Sequence, residues 1–273
     1  MRVRITLSKQ LRSIAGRPCN LCFHMIQTLP LPSLEWCVFL DIDGTLIELT
    51  DSPHETFADP ELKVLLSTVA ERLGGALALV SGRSIPYLDA LFKPLRLPAA
   101  GLHGVARRSA SGIMYGPSCI DTELDRVRPA VNALIEAHPG TSVEDKGQTI
   151  AVHFRMAPQH ESSVRESLVA ISKPMSIDYH IQEGNMVLEL MPRGFNKGAA
   201  VKMFMQEPPF LGRRPVFVGD DLTDQGGFQS VEEQGGISIA VGDRVRGQYR
   251  LDDPAAVRTW LQGVASLQDS PRE

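Results

Sequence analysis

An apolar run that ends in two aspartates constrains the fold of this chain more than any other segment. Residues 38–40 are Val, Phe and Leu, which is typical of a buried strand, and Asp41 and Asp43 follow one residue apart. Because side chains alternate in direction along a strand, the two carboxylates would point to the same side if the strand geometry continues. Gly44 then lets the backbone turn sharply. Ligands of open α/β sheets bind at the carboxyl ends of the strands, so this pair marks a candidate site.

Buried strands followed by polar residues recur along the chain, and helical segments separate them. Residues 76–80 lead into Ser81, and residues 216–218 lead into Asp220. Residues 59–73 have the apolar spacing of a helix and open with an N-cap aspartate followed by proline. This alternation predicts an α/β fold with a doubly wound parallel sheet. Since the tips of parallel strands share one edge of the sheet, the polar groups that follow them should converge.

An inserted segment interrupts the alternation and predicts a second domain. Residues 117–184 have the patterns of a helix, a hairpin, a helix and a strand, which fits a small sheet covered by helices. The first pattern resumes with a strand at residues 187–190. We therefore predict a catalytic core made of residues 34–116 and 185–268, with residues 117–184 forming an inserted α/β cap domain.

The N-terminal segment differs from the rest of the chain. Residues 1–33 are basic and contain no acids, and they lack the compact apolar stretch and cleavage site of a secretory signal. We interpret them as a poorly ordered extension, or as the result of an early start with Met25 as the real one, in preference to a transit peptide. Cys19 and Cys22 form an isolated C-x-x-C pair with only His24 nearby, so whether they bind anything stays open.

Composition and charge exclude two classes of partner. The 273 residues are 43% hydrophobic and 22% charged, which is ordinary for a globular protein. The formal net charge is -4, so no basic field favours nucleic acid. No apolar run approaches the roughly 20 residues that span a bilayer. We expect a soluble, cytoplasmic protein with neither a membrane nor a nucleic-acid partner.

The predicted strand tips carry the groups that a phosphoryl-transfer site needs. Asp41 is the candidate nucleophile, because a carboxylate can attack phosphorus to form an aspartyl-phosphate. A Mg²⁺ ion held by Asp41, Asp220 and the backbone carbonyl of Asp43 would neutralise the phosphate oxygens. Asp43 would protonate the leaving group and later activate water.

Three more residues complete the predicted catalytic site. Ser81 and Lys197 would hold the transferring phosphoryl group, and Asp224 would orient metal-bound water. Taken alone, each motif has a plainer explanation, since a D-x-D is often a solvated turn and a lysine that begins a helix often lies on the surface. Together, in this order and each after a predicted strand, they favour one shared site.

At these motifs the chain resembles the haloacid dehalogenase (HAD) superfamily, which contains many Mg²⁺-dependent phosphatases. The four motifs are DIDGT at residues 41–45, SGR at residues 81–83, GFNKG at residues 194–198 and GDDLTD at residues 219–224. The resemblance implies a HAD core, and the insertion matches the superfamily's larger α/β cap class.

More narrowly, the chain resembles the trehalose-6-phosphate phosphatase family over about residues 36–265. The supporting strings are GLHG at residues 101–104, VEDKG at residues 143–147, VHFR at residues 152–155 and VLELMP at residues 187–192. The resemblance implies a phosphomonoester hydrolase of trehalose biosynthesis that converts trehalose 6-phosphate to trehalose and phosphate.

The resemblance also implies a set of residues that bind the sugar phosphate. They are Gly82, Arg83, His103, Glu144, Lys146, Arg155 and Glu189. In that family an acid and a base on the cap hairpin read the sugar hydroxyls, and here Glu144 and Lys146 match them. From the residues alone, a solvated hairpin tip is the alternative explanation for these two residues. The two-domain plan further predicts that the cap closes over the core to exclude water.

Departures from the family pattern leave two alternatives open. Residues 105–106, Asn196 and Gln225 stand where the family usually has an acid. One alternative is a phosphatase for another sugar phosphate. The other, which we favour less, is a non-catalytic sugar-phosphate-binding subunit that regulates a synthase. In either case a small-molecule sugar phosphate is the expected ligand, and a functional link to a trehalose-6-phosphate synthase is the expected partnership.

Overall fold

The structure, a computed structural model, describes residues 29–50, 56–116, 121–175 and 179–268. The strands in these ranges are β1 (Trp36–Leu40), β2 (Leu77–Val80), β3 (Ala99–Gly101), β4 (Ala106–Arg108), β5 (Met114–Tyr115), β6 (Ser142–Asp145), β7 (Ile150–His153), β8 (Tyr179–Gly184), β9 (Val187–Pro192), β10 (Arg214–Gly219), β11 (Ile237–Val241) and β12 (Tyr249–Leu251). The helices are α1 (Pro60–Arg72), α2 (Ile85–Leu91), α3 (Asp121–Ala137), α4 (Glu161–Ser172), α5 (Lys197–Phe204), α6 (Gln225–Glu233) and α7 (Pro254–Ala265).

The larger sheet has eight strands in the order β12-β11-β10-β1-β2-β3-β4-β5. Strands β12 to β3 are parallel to their neighbours, while β4 and β5 add an antiparallel edge. The central strand β1 is buried along its whole length, and Leu40 pairs with Val218 on one side and Leu79 on the other. The doubly wound parallel α/β fold is therefore confirmed, and the tips of β1, β2 and β10 lie side by side.

Helix boundaries follow the capping signals in the sequence. The Asp59 side chain accepts a hydrogen bond of 2.7 Å from the backbone N–H of Leu62, and proline occupies the first turn of α1. Asp253 caps α7 in the same way through Ala256. The apolar faces of both helices pack into the core of the larger sheet, which leaves its carboxyl edge to the polar residues.

A smaller antiparallel sheet has the order β6-β7-β9-β8, and it has its own apolar core with α3 and α4. The hairpin of β6 and β7 agrees with the pattern predicted for the insertion. The prediction that the core resumes at residue 185 is wrong, because β9 pairs with both β7 and β8. An apolar run such as residues 187–192 looks alike in either sheet, since only its long-range partners decide where it belongs. The larger sheet is resumed by α5 and β10.

Several sequence-based expectations fall outside the described residues or were incomplete. Residues 1–28, with the Cys19 and Cys22 pair, are outside them, whereas Leu29 packs against the larger core. The short strands β4, β5 and β12 were not predicted, because two or three residues carry too little periodicity. Within the described ranges, no helix combines the length and the apolar character needed to cross a bilayer.

Candidate active site

The polar residues that follow the central strands converge at the carboxyl edge of the larger sheet. Asp41 follows β1, Ser81 follows β2 and Asp220 follows β10, while Lys197 begins α5. All four are at least 95% buried, as is Asp224. Buried polar groups require partners, so their contacts define the site.

Lys197 joins two carboxylates at the centre of the site. Its Nζ lies 2.7 Å from Asp41 Oδ1 and 2.6 Å from Asp224 Oδ1. Burial alone would lower the pKa of Lys197, but the carboxylates of Asp224 and Asp41 outweigh that effect and raise the pKa. Lys197 is therefore a charged group bound to the candidate nucleophile, and not a surface lysine.

Asp224 organises the backbone of the neighbouring loop. Its Oδ2 accepts hydrogen bonds of 3.0 Å from the backbone N–H groups of Asp220 and Asp221. Asp224 also completes a capping box with Asp221, which fixes the start of the following turn. These bonds hold the backbone of Asp220, whose carboxylate has an oxygen within 4.8 Å of an Asp41 oxygen.

Asp41, Asp220 and Asp224 form an acidic cluster that could hold a metal ion. One oxygen from each lies within 4.8 Å of the others. The Thr45 hydroxyl bridges two of them, at 3.3 Å from Asp41 Oδ2 and 3.2 Å from Asp220 Oδ1. Burial, together with the neighbouring carboxylates, raises the pKa of Asp41 and of Asp220 to about 7. Crowded carboxylate oxygens of this kind are the ligands that Mg²⁺ prefers.

Gly44 makes room for the acidic cluster. Its φ of +83° is in the left-handed region, and a Cβ atom there would overlap the Asp220 carboxylate. The glycine therefore cradles the carboxylate, and together with the three acids this cradle fits a divalent cation. The Asp43 carboxylate does not join the cluster within 4.8 Å, so its predicted contribution rests on the backbone carbonyl alone.

Arg83 holds the carboxylate of Asp43. The guanidinium Nε lies 2.9 Å from Asp43 Oδ2, and Nη2 lies 2.7 Å from Oδ1. Thr56 joins the same pair through its hydroxyl, and the guanidinium stacks 4.7 Å from the ring centroid of Tyr87. The backbone N–H of Arg83 donates to Ser81 Oγ at 3.1 Å. In this structure Arg83 thus contacts the candidate acid–base residue, a contact that the sequence did not predict.

A second polar cluster centres on Glu189 of β9. Its Oε2 lies 2.8 Å from Lys146 Nζ and 3.4 Å from His103 Nε2, and its Oε1 accepts 2.5 Å from the Thr149 hydroxyl. Burial would raise the pKa of Glu189, but Lys146 and His103 outweigh it and lower the pKa. Lys146 also donates to the carbonyl of Gly82 at 3.2 Å, so the hairpin of the smaller sheet touches the core.

His103 occupies an unusual backbone conformation beside this cluster. It has a φ of +55°, and Leu102 before it has a φ of +52°. Burial lowers the pKa of His103, which favours the neutral ring. Because Gly82 has no Cβ, the ring approaches its backbone closely. Two adjacent strained residues at a polar cluster are typical of a functional site.

One cavity of about 930 Å³ connects the two clusters. Glu144 faces it and accepts a hydrogen bond of 3.0 Å from His153 Nε2, which lowers the pKa of Glu144. Arg155 is exposed on the cavity wall. The predicted residues that line the cavity are Asp41, Asp43, Ser81, Gly82, Arg83, His103, Glu144, Lys146, Arg155, Glu189, Lys197 and Asp220. The residues predicted to bind the phosphate and those predicted to bind the sugar therefore line the same cavity.

Sequence reasoning missed three side chains of these clusters. Thr45 lies inside the DIDGT motif, so its proximity to the acids could have been inferred. Thr149 and Arg244 carry no local signal, because their contacts to Glu189 and Asp220 depend on long-range folding.

Comparisons of sequence agree on one family. A family model described as trehalose-phosphatase matches residues 39–256. The trehalose-6-phosphate phosphatase of Escherichia coli (strain K12) is 38% identical over 248 residues, covering 89% of this chain and 92% of the relative. A probable trehalose-phosphate phosphatase of Sinorhizobium fredii is 40% identical, covering 85% and 87%. A bifunctional trehalose-6-phosphate synthase/phosphatase of Thermoproteus tenax is 31% identical, covering 82% of this chain and 31% of the relative.

Solved structures agree on the fold. The crystal structure of a trehalose-6-phosphate phosphatase related protein has a TM-score of 0.70 at 26% identity, covering 84% of this chain and 96% of that one. A haloacid dehalogenase-like hydrolase from Bacteroides thetaiotaomicron has a TM-score of 0.58 at 15% identity, covering 83% and 98%, and this likeness concerns the fold alone. The strand-tip motifs, the cavity and these matches lead to one assignment: the chain belongs to the trehalose-phosphatase family.

Proposed function

We propose that this chain hydrolyses trehalose 6-phosphate to trehalose and phosphate, with Asp41 as the nucleophile. The observation that carries the proposal is the single cavity that joins the acidic cluster of the core to Glu189 and Lys146 of the smaller sheet. A phosphate ester whose phosphate binds at the acidic cluster would place its sugar beside Glu189 and Lys146. Membership of the trehalose-phosphatase family supports the same substrate.

The metal proposed for this site is Mg²⁺, held by Asp41, Asp220 and the backbone carbonyl of Asp43. When bound, it would neutralise the phosphate oxygens and so permit attack by a carboxylate. The donor set supports this choice, since magnesium takes few protein carboxylates and keeps its other positions for water and phosphate.

Each protein group has a role that its contacts support. A carboxylate oxygen of Asp41 would bond to phosphorus while the ester bond to the sugar oxygen breaks. Asp43 would give its proton to that oxygen, and then take a proton from the water that splits the aspartyl-phosphate. Since Arg83 occupies both oxygens of Asp43, this exchange requires the guanidinium to release at least one of them. Lys197 would hold Asp41 in position and offset its charge.

The sugar would bind at the second cluster. Glu189 and Lys146 supply an ionised acceptor and a donor, and Glu144 adds an acceptor from the hairpin. Buried polar groups that pair with sugar hydroxyls discriminate strongly, because a ligand without those hydroxyls leaves them unpaired. Closure of the smaller sheet over the core stays a prediction, which small-angle scattering with a substrate analogue would test.

A panel assay of phosphate release tests the proposal. The protein with Mg²⁺ is offered trehalose 6-phosphate, glucose 6-phosphate, sucrose 6-phosphate and p-nitrophenyl phosphate. We expect trehalose 6-phosphate to have the highest kcat/KM. Preference for another ester would favour the alternative sugar-phosphate phosphatase, and binding without release would favour the regulatory subunit.

Two matched variants test the nucleophile. Asp41→Asn should lower kcat by at least about 10⁴-fold, the scale seen when a nucleophile is removed. Asp252→Asn, at an exposed carboxylate, should leave kcat unchanged. Retained turnover in the Asp41 variant would exclude Asp41 as the nucleophile.

A functional link to a trehalose-6-phosphate synthase and a cytoplasmic location form part of the proposal. The Thermoproteus relative, named as a bifunctional synthase and phosphatase, supports the link. A coupled assay with a purified synthase would test it, because a physical link predicts faster trehalose formation than the two separate rates allow.

A further inference from the structure

Arg244 forms an ion pair with Asp220, the carboxylate that would bind the metal. It lies in the loop between β11 and β12, outside the four phosphatase motifs, and its Nη2 contacts Asp220 Oδ2. Lys197 pairs with Asp41 and Asp224 instead. Within the described part of the chain, Arg244 is therefore the side-chain cation placed on Asp220.

Besides Arg244, two uncharged groups contact the Asp220 carboxylate, and Arg244 therefore stands where a metal cation would otherwise neutralise it. Thr45 donates to Asp220 Oδ1, and Gly44 lies beneath the carboxylate. The Asp220 side chain is 3% exposed. An ionised carboxylate that is this deeply buried needs a positive partner, because burying an unpaired charge raises the free energy of the folded protein.

Arg244 is able to leave this position. Its side chain is 37% exposed, and it borders both the active-site cavity and a second cavity of about 420 Å³. The second cavity is also lined by Glu232 and Gln229 of α6. These polar groups offer the guanidinium another acceptor when it turns away from Asp220.

We propose that Arg244 is an internal counter-ion that occupies Asp220 in the metal-free protein and is displaced toward the second cavity when a divalent cation binds. The inference rests on the metal site of the proposed function. A guanidinium and a metal ion on the same carboxylate repel each other, and this repulsion favours the state in which the guanidinium has left Asp220. The free energy lost with the Arg244–Asp220 ion pair lowers the affinity for the metal. In the metal-free protein, the same ion pair stabilises the fold around the acidic cluster.

Calorimetric titration with Mg²⁺, without substrate, tests this inference by a readout other than activity. Arg244→Gln removes the charge that competes with the metal. We expect its Kd for Mg²⁺ to fall at least tenfold, which corresponds to about 1.4 kcal/mol. Arg246→Gln is the matched control, because this exposed arginine lies on the same loop and borders only the second cavity. Its Kd should stay within twofold of the wild-type value.

Thermal unfolding in EDTA gives an independent result. Arg244→Gln should lower the Tm of the metal-free protein, and saturating Mg²⁺ should remove most of that difference. Arg244→Lys, which keeps a cation but shortens its reach to Asp220, should have a Kd between that of Arg244→Gln and that of the wild type. It also serves as the test if the glutamine variant fails to fold, since a Kd equal to or above the wild-type value then counts against displacement.

The outcomes separate this inference from the proposed function. A folded Arg244→Gln protein with unchanged or weaker Mg²⁺ binding would overturn the counter-ion role and leave the phosphatase proposal intact. Wild-type protein that binds no Mg²⁺ would overturn both the magnesium site and the inference. Phosphate release from trehalose 6-phosphate tests the substrate separately.

Discussion

Replacing Lys197 with methionine should destabilise the metal-free protein by an amount that depends on pH. The substitution keeps most of the side-chain volume but removes the cation shared by Asp41 and Asp224. At 2.7 Å and an effective dielectric constant of about 20, one such contact has a Coulomb energy of about 6 kcal/mol. Desolvation of the buried groups offsets much of it, and breaking a buried pair costs about 3–5 kcal/mol. We expect a loss of that size at pH 8.

The pH dependence follows from the two carboxyls left behind. Burial and Asp224 already raise the pKa of Asp41 to about 7 with Lys197 present, and without the ammonium it rises further. A carboxyl with a raised folded-state pKa binds its proton more tightly in the folded protein, so that stability is present at low pH and is lost as the pH rises through the folded pKa. The loss at pH 5 should therefore be smaller than at pH 8 by at least about 1.4 kcal/mol, one pKa unit.

Urea unfolding in EDTA at pH 5 and pH 8 measures both quantities. Trp36 and Trp260 stack with ring centroids 6.3 Å apart in the core, so tryptophan fluorescence reports unfolding. Lys202→Met is the matched control on the same helix, because its pair with Glu233 is about half exposed. Its unfolding free energy should equal that of the wild type within the error of the measurement at either pH, because solvent screens this exposed pair. A Lys197→Met loss below about 1 kcal/mol, or an equal loss at both pH values, would refute the reasoning.

Three further predictions concern the metal, the glycine turn and the sugar site. Mg²⁺ affinity measured by calorimetry should increase from pH 6 to pH 8, since protons compete for Asp41 and Asp220, whose pKa values are raised to about 7; a flat profile would contradict this. Gly44→Ala should lower the unfolding free energy by about 1–3 kcal/mol more than Gly112→Ala, because Gly112 has a similar φ of +85° but open space around it; equal losses in urea unfolding would count against the cradle. Glu189→Gln should raise KM for trehalose 6-phosphate by about tenfold and change kcat/KM for p-nitrophenyl phosphate little, and parallel losses would argue against a sugar-binding role.

The convergence of the acidic residues could be predicted because its causes are local. An apolar run sets a buried strand, and a parallel strand ends at the same edge as its neighbours. Asp41, Ser81 and Asp220 therefore meet although long stretches of sequence separate them. The same logic assigned β9 to the wrong sheet, because burial of a strand does not reveal its hydrogen-bonding partner.

The ion pairs of the site could not be predicted from the sequence. Lys197 was expected near the phosphoryl group, but its contacts to Asp41 and Asp224 follow from the direction of its side chain at the start of α5. Arg83 was expected to bind the substrate, which stays a prediction, and its two hydrogen bonds to Asp43 were not foreseen. Such pairings depend on rotamers and loop paths, which no spacing rule encodes.

The charges of the acidic cluster connect the proposed metal with the inferred role of Arg244. With Asp41, Asp220 and Asp224 ionised, three negative charges face two positive ones from Lys197 and Arg244, so the cluster has a formal charge of −1. A dianionic phosphate would meet repulsion there. Exchanging the guanidinium for a divalent cation adds one positive charge at the point where the phosphate oxygens would lie. Because like charges resist approach in a buried site, that exchange would make the cavity receptive to substrate only after the metal has bound.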